Sequence, residues 1–478
     1  MNPLRLRLIA PLFVLALTLA SPTRASSPAL AATDTELTAQ DGSALIITRG
    51  TLDVPARRGV AGGPTLRIAF VRVRSGDARG DTAHLVLAGG PGASGIDGVM
   101  SLARHGRAAL ALFGGDVIGM DQRGTGQSLP KLDLPDTVAL PLDAPGSAES
   151  WLPLIRAGSA RAAARLRAGG VDPLAFNTVE SAEDADALRE ALGYRSLVLW
   201  GRSYGSHLAI AIARRHGAHV QRLVLVSPEG PDHTWKLPAQ VDAVIARVAE
   251  RAQRPGLPGD IASVMQRLRG NPVTVRLRDG SGHLRRIPIG VLDLQLLTLR
   301  ALGDPRTLAT LPAAYARMAR GDFDAVAPLV LEQRRHWRLG SAMKHFTDLS
   351  AAPGAARAAR IAREEGDSLL GAAVNFPGPA MSDAWGVQDL GDAFRAPWAS
   401  DLPTLILVGD LDPRTPLENA HEIAQCLPNA KVVVLRNGTH QFDLFGSAPL
   451  RAVISAFLAD APVPDTVALP PIRFQPVR

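Results

Sequence analysis

One serine, one histidine and two aspartates stand in patterns that suit acyl-transfer chemistry. Ser203 is the centre of Gly201-Arg202-Ser203-Tyr204-Gly205. A serine hydroxyl is a weak nucleophile until a base removes its proton, and the base needs a third group to hold its tautomer and balance its charge. Acid and base follow downstream in Gly409-Asp410-Leu411-Asp412-Pro413-Arg414-Thr415-Pro416 and Gly438-Thr439-His440. His440 is the expected base. Asp412 is the preferred acid, because Asp412-x-x-x-Pro416 sets it in the loop proper; Asp410 then steadies that loop. His207, one helical turn beyond Ser203, competes as base, but its side chain is expected to pack or point away from the hydroxyl. Upstream, the glycines of Ala88-Gly89-Gly90-Pro91-Gly92 can bring backbone N–H groups to a developing oxyanion, with the N–H of Tyr204 as second donor. A phosphate cradle fits poorly, since the run has no Lys-Ser/Thr ending and opens no GxGxxG helix.

These groups need elements that carry them to one rim. Ser196 to Trp200 is apolar and Ser206 to His216 reads as a helix, so Ser203 sits in a strand–turn–helix. Short apolar runs at His84–Leu87, Val117–Met120, Leu197–Trp200, Leu223–Val226, Thr404–Val408 and Val432–Leu435 suit parallel strands covered on both faces. Ala44–Ile47 and Leu66–Val73 read as further strands, the second with the alternation of a half-buried one. A helix is expected over Ser181–Leu192, started by Ser181 and closed by Gly193. The alternation gives a doubly wound, mostly parallel α/β sheet. Both the acid loop and the base loop follow strands, on the rim where ligands bind in open α/β sheets.

The alternation breaks at Asp232 and resumes near Ser400. The stretch between is Ala/Arg/Leu-rich helical pattern, with one hairpin from Val273 that turns at Asp279-Gly280. The expected organisation is a signal peptide over 1–31, core over 36–231 and 401–460, an inserted helical cap over 232–400, and a Pro-rich tail over 461–478 lying extended on the surface. Arg5 and Arg7 precede the 13-residue apolar segment Leu8–Ala20, with cleavage expected after Ala25 or Ala31. Export to the periplasm or the medium follows, with no stable membrane insertion once the signal is removed.

The formal charge is +7, but 48 of the 52 basic residues are Arg spread along the chain. Residues 1–31 carry three Arg and no acid, so their removal lowers the charge to +4. No dense basic block or aromatic-interleaved stripe is present, which disfavours nucleic acid as partner. The single cysteine, Cys426, excludes an intrachain disulfide and reads as a buried thiol. No cofactor and no metal are expected, and the oligomeric state stays open.

Taken together, Gly89-Gly90-Pro91-Gly92, Asp121-Gln122-Arg123-Gly124-Thr125-Gly126-Gln127-Ser128, the Ser203 motif and the two downstream loops resemble the serine aminopeptidase branch of the α/β-hydrolases. Proline iminopeptidases and secreted tripeptidyl aminopeptidases belong there. The resemblance covers most of 48–231 and 401–478. It implies an α/β-hydrolase fold, a triad of Ser203, Asp412 and His440, and an oxyanion hole of Gly90 and Tyr204. Ala88 stands where the family often has His, and the cysteine pair of the secreted members is absent. The cap matches least, and the cap carries substrate choice.

The expected activity is removal of residues from peptide N-termini. An esterase or amidase on small acyl substrates is the alternative of like mechanism. A catalytically silent binding protein is the alternative of another class. Holding a free ammonium needs a buried carboxylate, and Glu229, just past Leu223–Val226, is the leading residue; it reads equally as a hinge carboxylate, with Asp232 nearby. Arg123 is expected to brace the loop beneath Ser203 rather than to bind substrate.

Overall fold

The computed structural model describes residues 29–74, 80–278 and 280–477. Most of the expected signal peptide, residues 1–28, and Asp279 of the expected hairpin turn lie outside the described residues. A ten-stranded sheet forms the centre. Its strands are β1 (Leu30–Thr38), β2 (Ala44–Pro55), β3 (Thr65–Arg74), β4 (Thr82–Leu87), β5 (Asp116–Met120), β6 (Ser196–Arg202), β7 (Val220–Val226), β8 (Thr404–Gly409), β9 (Ala430–Arg436) and β10 (Thr466–Ala468). They lie in the order 1-2-3-5-4-6-7-8-9-10. The pairs β1–β2, β2–β3 and β3–β5 are antiparallel, and every other neighbouring pair is parallel. This is the α/β-hydrolase arrangement that the motifs imply.

The central strands read as unbroken apolar runs because both faces are covered. In β6, Leu197 and Leu199 face the helices Ala148–Ala168, Thr178–Ala191 and Tyr204–His216. Val198 and Trp200 face the opposite layer, which holds Gly95–His105 and Ala448–Leu458. The helix expected from Ser181 starts earlier. Its N-cap is Asn177, whose side chain accepts from the Glu180 N–H at 2.9 Å, and Ser181 is buried inside the helix. β1 begins at Leu30, so the segment 1–31 overlaps it by two residues.

Between β7 and β8 the chain forms a mainly helical insert with its own apolar core, including Val244, Ile261, Tyr315 and Val330. Its hairpin pairs Val273–Arg278 with Leu284–Ile289. A second small sheet joins Arg338–Ser341 of the insert to Asp133–Thr137 of the core. The buried Arg334 side chain donates to Asp293 and to the carbonyls of Ala144 and Pro288, which ties the insert to that same region.

The tail does more than lie on the surface. β10 adds the last strand beside β9. Beyond it, Ile472 and Phe474 pack against the insert's core, and the Gln475 N–H donates to the Ala309 carbonyl at 2.9 Å. Ile and Phe spaced two apart in an extended chain share one face, which gives the tail an apolar side to bury. Cys426 is half-buried rather than buried. Among the described residues, no helix is long and apolar enough to cross a membrane. Nor, among them, are three or more His, Cys, Asp or Glu side chains placed to hold a metal ion.

Candidate active site

Ser203 stands between β6 and the helix Tyr204–His216, with φ 54° and ψ −127°. Such a conformation is strained for a residue with a Cβ, and it persists only where neighbours fix it. Here the Ser203 N–H donates to the Val226 carbonyl of β7 at 3.0 Å, and the Ser206 Oγ donates to the Ser203 carbonyl at 2.5 Å. The flanking glycines are required by contact. A Cβ on Gly205 would stand 2.1 Å from the Leu87 carbonyl oxygen, and one on Gly201 would stand 2.4 Å from the Gly205 oxygen. The strand end, the turn and the helix start are therefore pressed together, and the hydroxyl is left on top.

Asp412 and His440 meet as the spacing predicts. His440 Nδ1 lies 2.8 Å from Asp412 Oδ2 and 3.1 Å from Oδ1. Asp412 is fully buried and also accepts from the backbone N–H groups of Arg414 at 2.9 Å and Thr415 at 3.0 Å, and from Thr415 Oγ1 at 2.8 Å. Burial alone would push this carboxyl up, but attraction to His440 and these hydrogen bonds outweigh it and hold it below the ordinary aspartate value. An ionised Asp412 makes Nδ1 the protonated nitrogen of a neutral His440. Nε2 is then left as the acceptor that a general base needs. Ser203 and His440 line one cleft, together with Gly89, Gly90, Arg202 and Arg414.

The glycine run lies against the nucleophile. A Cβ on Gly89 would be 3.1 Å from the Ser203 Cβ and 2.9 Å from the Arg202 carbonyl oxygen. Gly90 takes φ 114°, a conformation open to glycine. Asp121 holds the helix start just past this run: its Oδ1 accepts from Ser94 Oγ at 2.6 Å and from the Ile96 N–H at 3.1 Å. Tyr204 is buried, its hydroxyl 3.2 Å from Thr178 Oγ1. Its N–H belongs to the first turn of a helix, where backbone donors have no partner within the helix.

The other candidates have partners of their own. Asp410 binds Arg251 Nη2 at 2.9 Å and the Asn437 N–H at 2.8 Å, so it braces the loop as expected. His207 is buried, with Nδ1 3.1 Å from the Gly230 carbonyl and its ring stacked on Tyr204. Arg123 is wholly buried. It grips Asp184 with two bonds of 2.8 and 2.7 Å and donates to the Ala56 carbonyl at 2.7 Å, so no donor faces a substrate.

Glu229 departs from its expected state. It lines an inner cavity of about 390 Å³ together with Ser203 and Gly90, but its Oε2 is bound to Lys236 Nζ at 2.6 Å. Burial pushes its carboxyl up, and Lys236 and His207 more than offset this, so it is held below the ordinary glutamate value. An unpaired buried carboxylate is costly, and Lys236, seven residues on, supplies the counter-charge. The same cavity holds a second ion pair, Lys344 with Asp348.

Two contributors carry no role in the sequence reading. Arg202 donates from Nη2 to the His440 carbonyl at 2.9 Å, and its Cζ lies 5.0 Å from the centre of the Phe442 ring, pinning the base loop to the nucleophile turn. Thr415 clamps both oxygens of Asp412. Its place three residues past the acid is the only signal for it.

A family model described as alpha/beta hydrolase fold matches residues 85–444. No curated protein matches. Among solved structures, the chain is similar to a proline iminopeptidase-related protein from Thermus thermophilus, at 19% identity, covering 86% of this chain and 97% of that one, with a TM-score of 0.36. It is similar also to a thermophilic esterase from Thermogutta terrifontis, at 18% identity, with 90% and 96% covered and a TM-score of 0.34. A mutant epoxide hydrolase from Vigna radiata stands at 16% identity, with 86% and 98% covered and a TM-score of 0.34.

Proposed function

Because the chain belongs to the alpha/beta hydrolase fold family, we propose that it is an exported serine hydrolase that releases residues from peptide N-termini through an acyl-enzyme on Ser203. The carrying observation is the strained Ser203 sharing one cleft with an imidazole whose Nδ1 is held by a buried, ionised carboxylate. His440 takes the Ser203 proton as the hydroxyl oxygen attacks the carbonyl carbon. The N–H groups of Gly90 and Tyr204 stabilise the oxyanion. His440 then returns the proton to the leaving amine, and water repeats the sequence to free the acid. The peptide part of the reading rests on the GGPG and DQRGTGQS motifs and on Glu229 in the inner cavity.

The Glu229–Lys236 pair favours a second reading, an esterase or amidase without amine recognition, since an ammonium would have to displace Lys236. A panel of chromogenic peptides with free and acetylated N-termini, run beside short-chain esters, separates the two. At least ~10²-fold preference for the free amine is expected of an aminopeptidase, given the few kcal/mol that a desolvated charge contact contributes. Equal rates on both peptides sink it and promote the esterase. A fluorophosphonate should label Ser203, and Ser203→Ala should lose both labelling and turnover; normal turnover by that variant ends the serine-hydrolase reading.

Export is part of the proposal, and β1 bears on its details. Cleavage after Ala25 leaves β1 whole. Cleavage after Ala31 removes Leu30 and Ala31, which pair with Leu52 and Thr51, and also the Ala29 carbonyl that accepts from the Asp53 N–H at 3.1 Å. The mature chain is therefore expected to begin at Ser26, and N-terminal sequencing from the native host reads this directly. Recovery of Met1 contradicts export.

A further inference from the structure

The charges around Ser203 do not balance. In the inner cavity Glu229 is matched by Lys236 and Asp348 by Lys344, and the same walls carry Arg300 and Arg414 besides. Neither guanidinium has a hydrogen-bond or ion-pair partner among the described residues, whereas nearby Arg202, Arg306 and Arg247 all do. Arg414 also lines the outer cleft, alongside Ser203, Gly90 and His440. It therefore stands where the two spaces meet at the nucleophile. Its side chain rests against Gly303, at the end of the helix Val291–Leu302 that also bears Arg300; a Cβ on Gly303 would come within 3.2 Å of Arg414 Nε. Both arginines are exposed, so an anion can reach them from solvent.

Arg414 also lies close enough to Lys344 to oppose its charge. Like charges facing one cavity are unfavourable until something negative joins them, and a cavity of one excess sign concentrates anions. A guanidinium offers a planar fork that suits a carboxylate. We propose that the substrate carries a carboxylate close to its scissile bond and that Arg414, helped by Arg300, binds it. This rests on the serine-hydrolase reading and gives that site its substrate class. Binding orients the acyl group; the bond made and broken at Ser203 stays the one described above.

The test competes ligands against a neutral fluorophosphonate at Ser203 in the full mature chain. Monomethyl glutarate supplies the carboxylate, and dimethyl glutarate is its neutral match. The anion is expected to slow labelling at a concentration at least tenfold lower than the diester. Arg414→Gln should erase most of that difference, Arg300→Gln part of it, and Arg414→Lys should retain some. With p-nitrophenyl hemisuccinate and p-nitrophenyl butyrate, the ratio of kcat/KM values should fall at least tenfold in Arg414→Gln, whatever the absolute rates. Equal competition by the two glutarates in the parent overturns the proposal and leaves the serine hydrolase standing. A ratio unchanged in Arg414→Gln also overturns it and leaves Arg414 a support for its helix end. Absence of labelling in the parent overturns the serine-hydrolase reading, and this proposal with it.

Discussion

At the scale of the residue, the two aspartates of the acid loop are near neighbours in sequence and opposite in duty. Asp412 spends its oxygens on His440 and Thr415, and Asp410 spends its own on Arg251 and Asn437. Asp412→Asn is expected to lower kcat/KM by roughly 10⁴, because an amide cannot hold His440 in the base-competent tautomer. Asp410→Asn should leave most of the rate and instead lower stability by on the order of 1 kcal/mol, because the Arg251 and Asn437 contacts weaken while Arg251 keeps Glu250. Steady-state kinetics and thermal melts of both variants check the ranking, and a reversed order moves the acid to Asp410. Ser203, Asp412 and His440 are legible in the sequence because each sits in a short local pattern after an apolar run. Arg300, Lys344 and Arg414 are not. They come from distant stretches and meet only through the packing of the insert, so no window of sequence contains them together. Glu229 is legible as a position, but Lys236 as its partner is not.

At the scale of the element, the turn at Ser203 depends on two backbones touching. Gly205→Ala drives a methyl into the Leu87 carbonyl at the end of β4, the strand that leads into Gly89 and Gly90. A backbone oxygen cannot swing aside, so this change should cost about 1–3 kcal/mol and displace the glycine run as well. Loss of fluorophosphonate labelling and a lower melting temperature are expected together. Gly98→Ala makes the contrast. Gly98 lies in the helix Gly95–His105 with nothing within 4 Å of a new Cβ. Alanine there should add about 0.5–1 kcal/mol. If both glycines respond alike, packing is not what distinguishes them. The central strands show themselves in sequence because burial on both faces leaves no polar position. β1 is almost wholly exposed and mixed in composition, and β10 has three residues, so neither carries a pattern. The start of Thr178–Ala191 is hidden because Ser181 imitates a cap, and only the fold shows Asn177 in that place.

At the scale of the whole molecule, buried imidazoles set the response to acid. His84, His207, His233 and His345 are all held below the ordinary histidine value, with burial the largest cause in each. His84 is lowered to about 4, from 6.5. The unfolded chain therefore takes up a proton that the folded chain refuses between those values. Stability is intact above pH 6.5 and falls as the pH drops toward 4. His84 alone accounts for about 3 kcal/mol at the lower end. Urea midpoints at about pH 7.5 and about pH 5 should differ in this sense. His84→Phe should be weaker at neutral pH, since the Trp200 indole N–H loses its 2.9 Å acceptor, yet show a shallower pH slope. A slope unchanged in that variant removes His84 as a titrating group.

The strand order has a further consequence for handling the chain. β1 and β10 are the two outer strands of the ten. Neighbouring strands lie about 4.8 Å apart, so the two rim strands stand about 40 Å apart along the sheet. A circular permutant that joins Ala468 directly to Leu30 therefore needs a bridge of at least about 12 extended residues, and more to pass around the helices. A shorter bridge would strip one rim strand or the other.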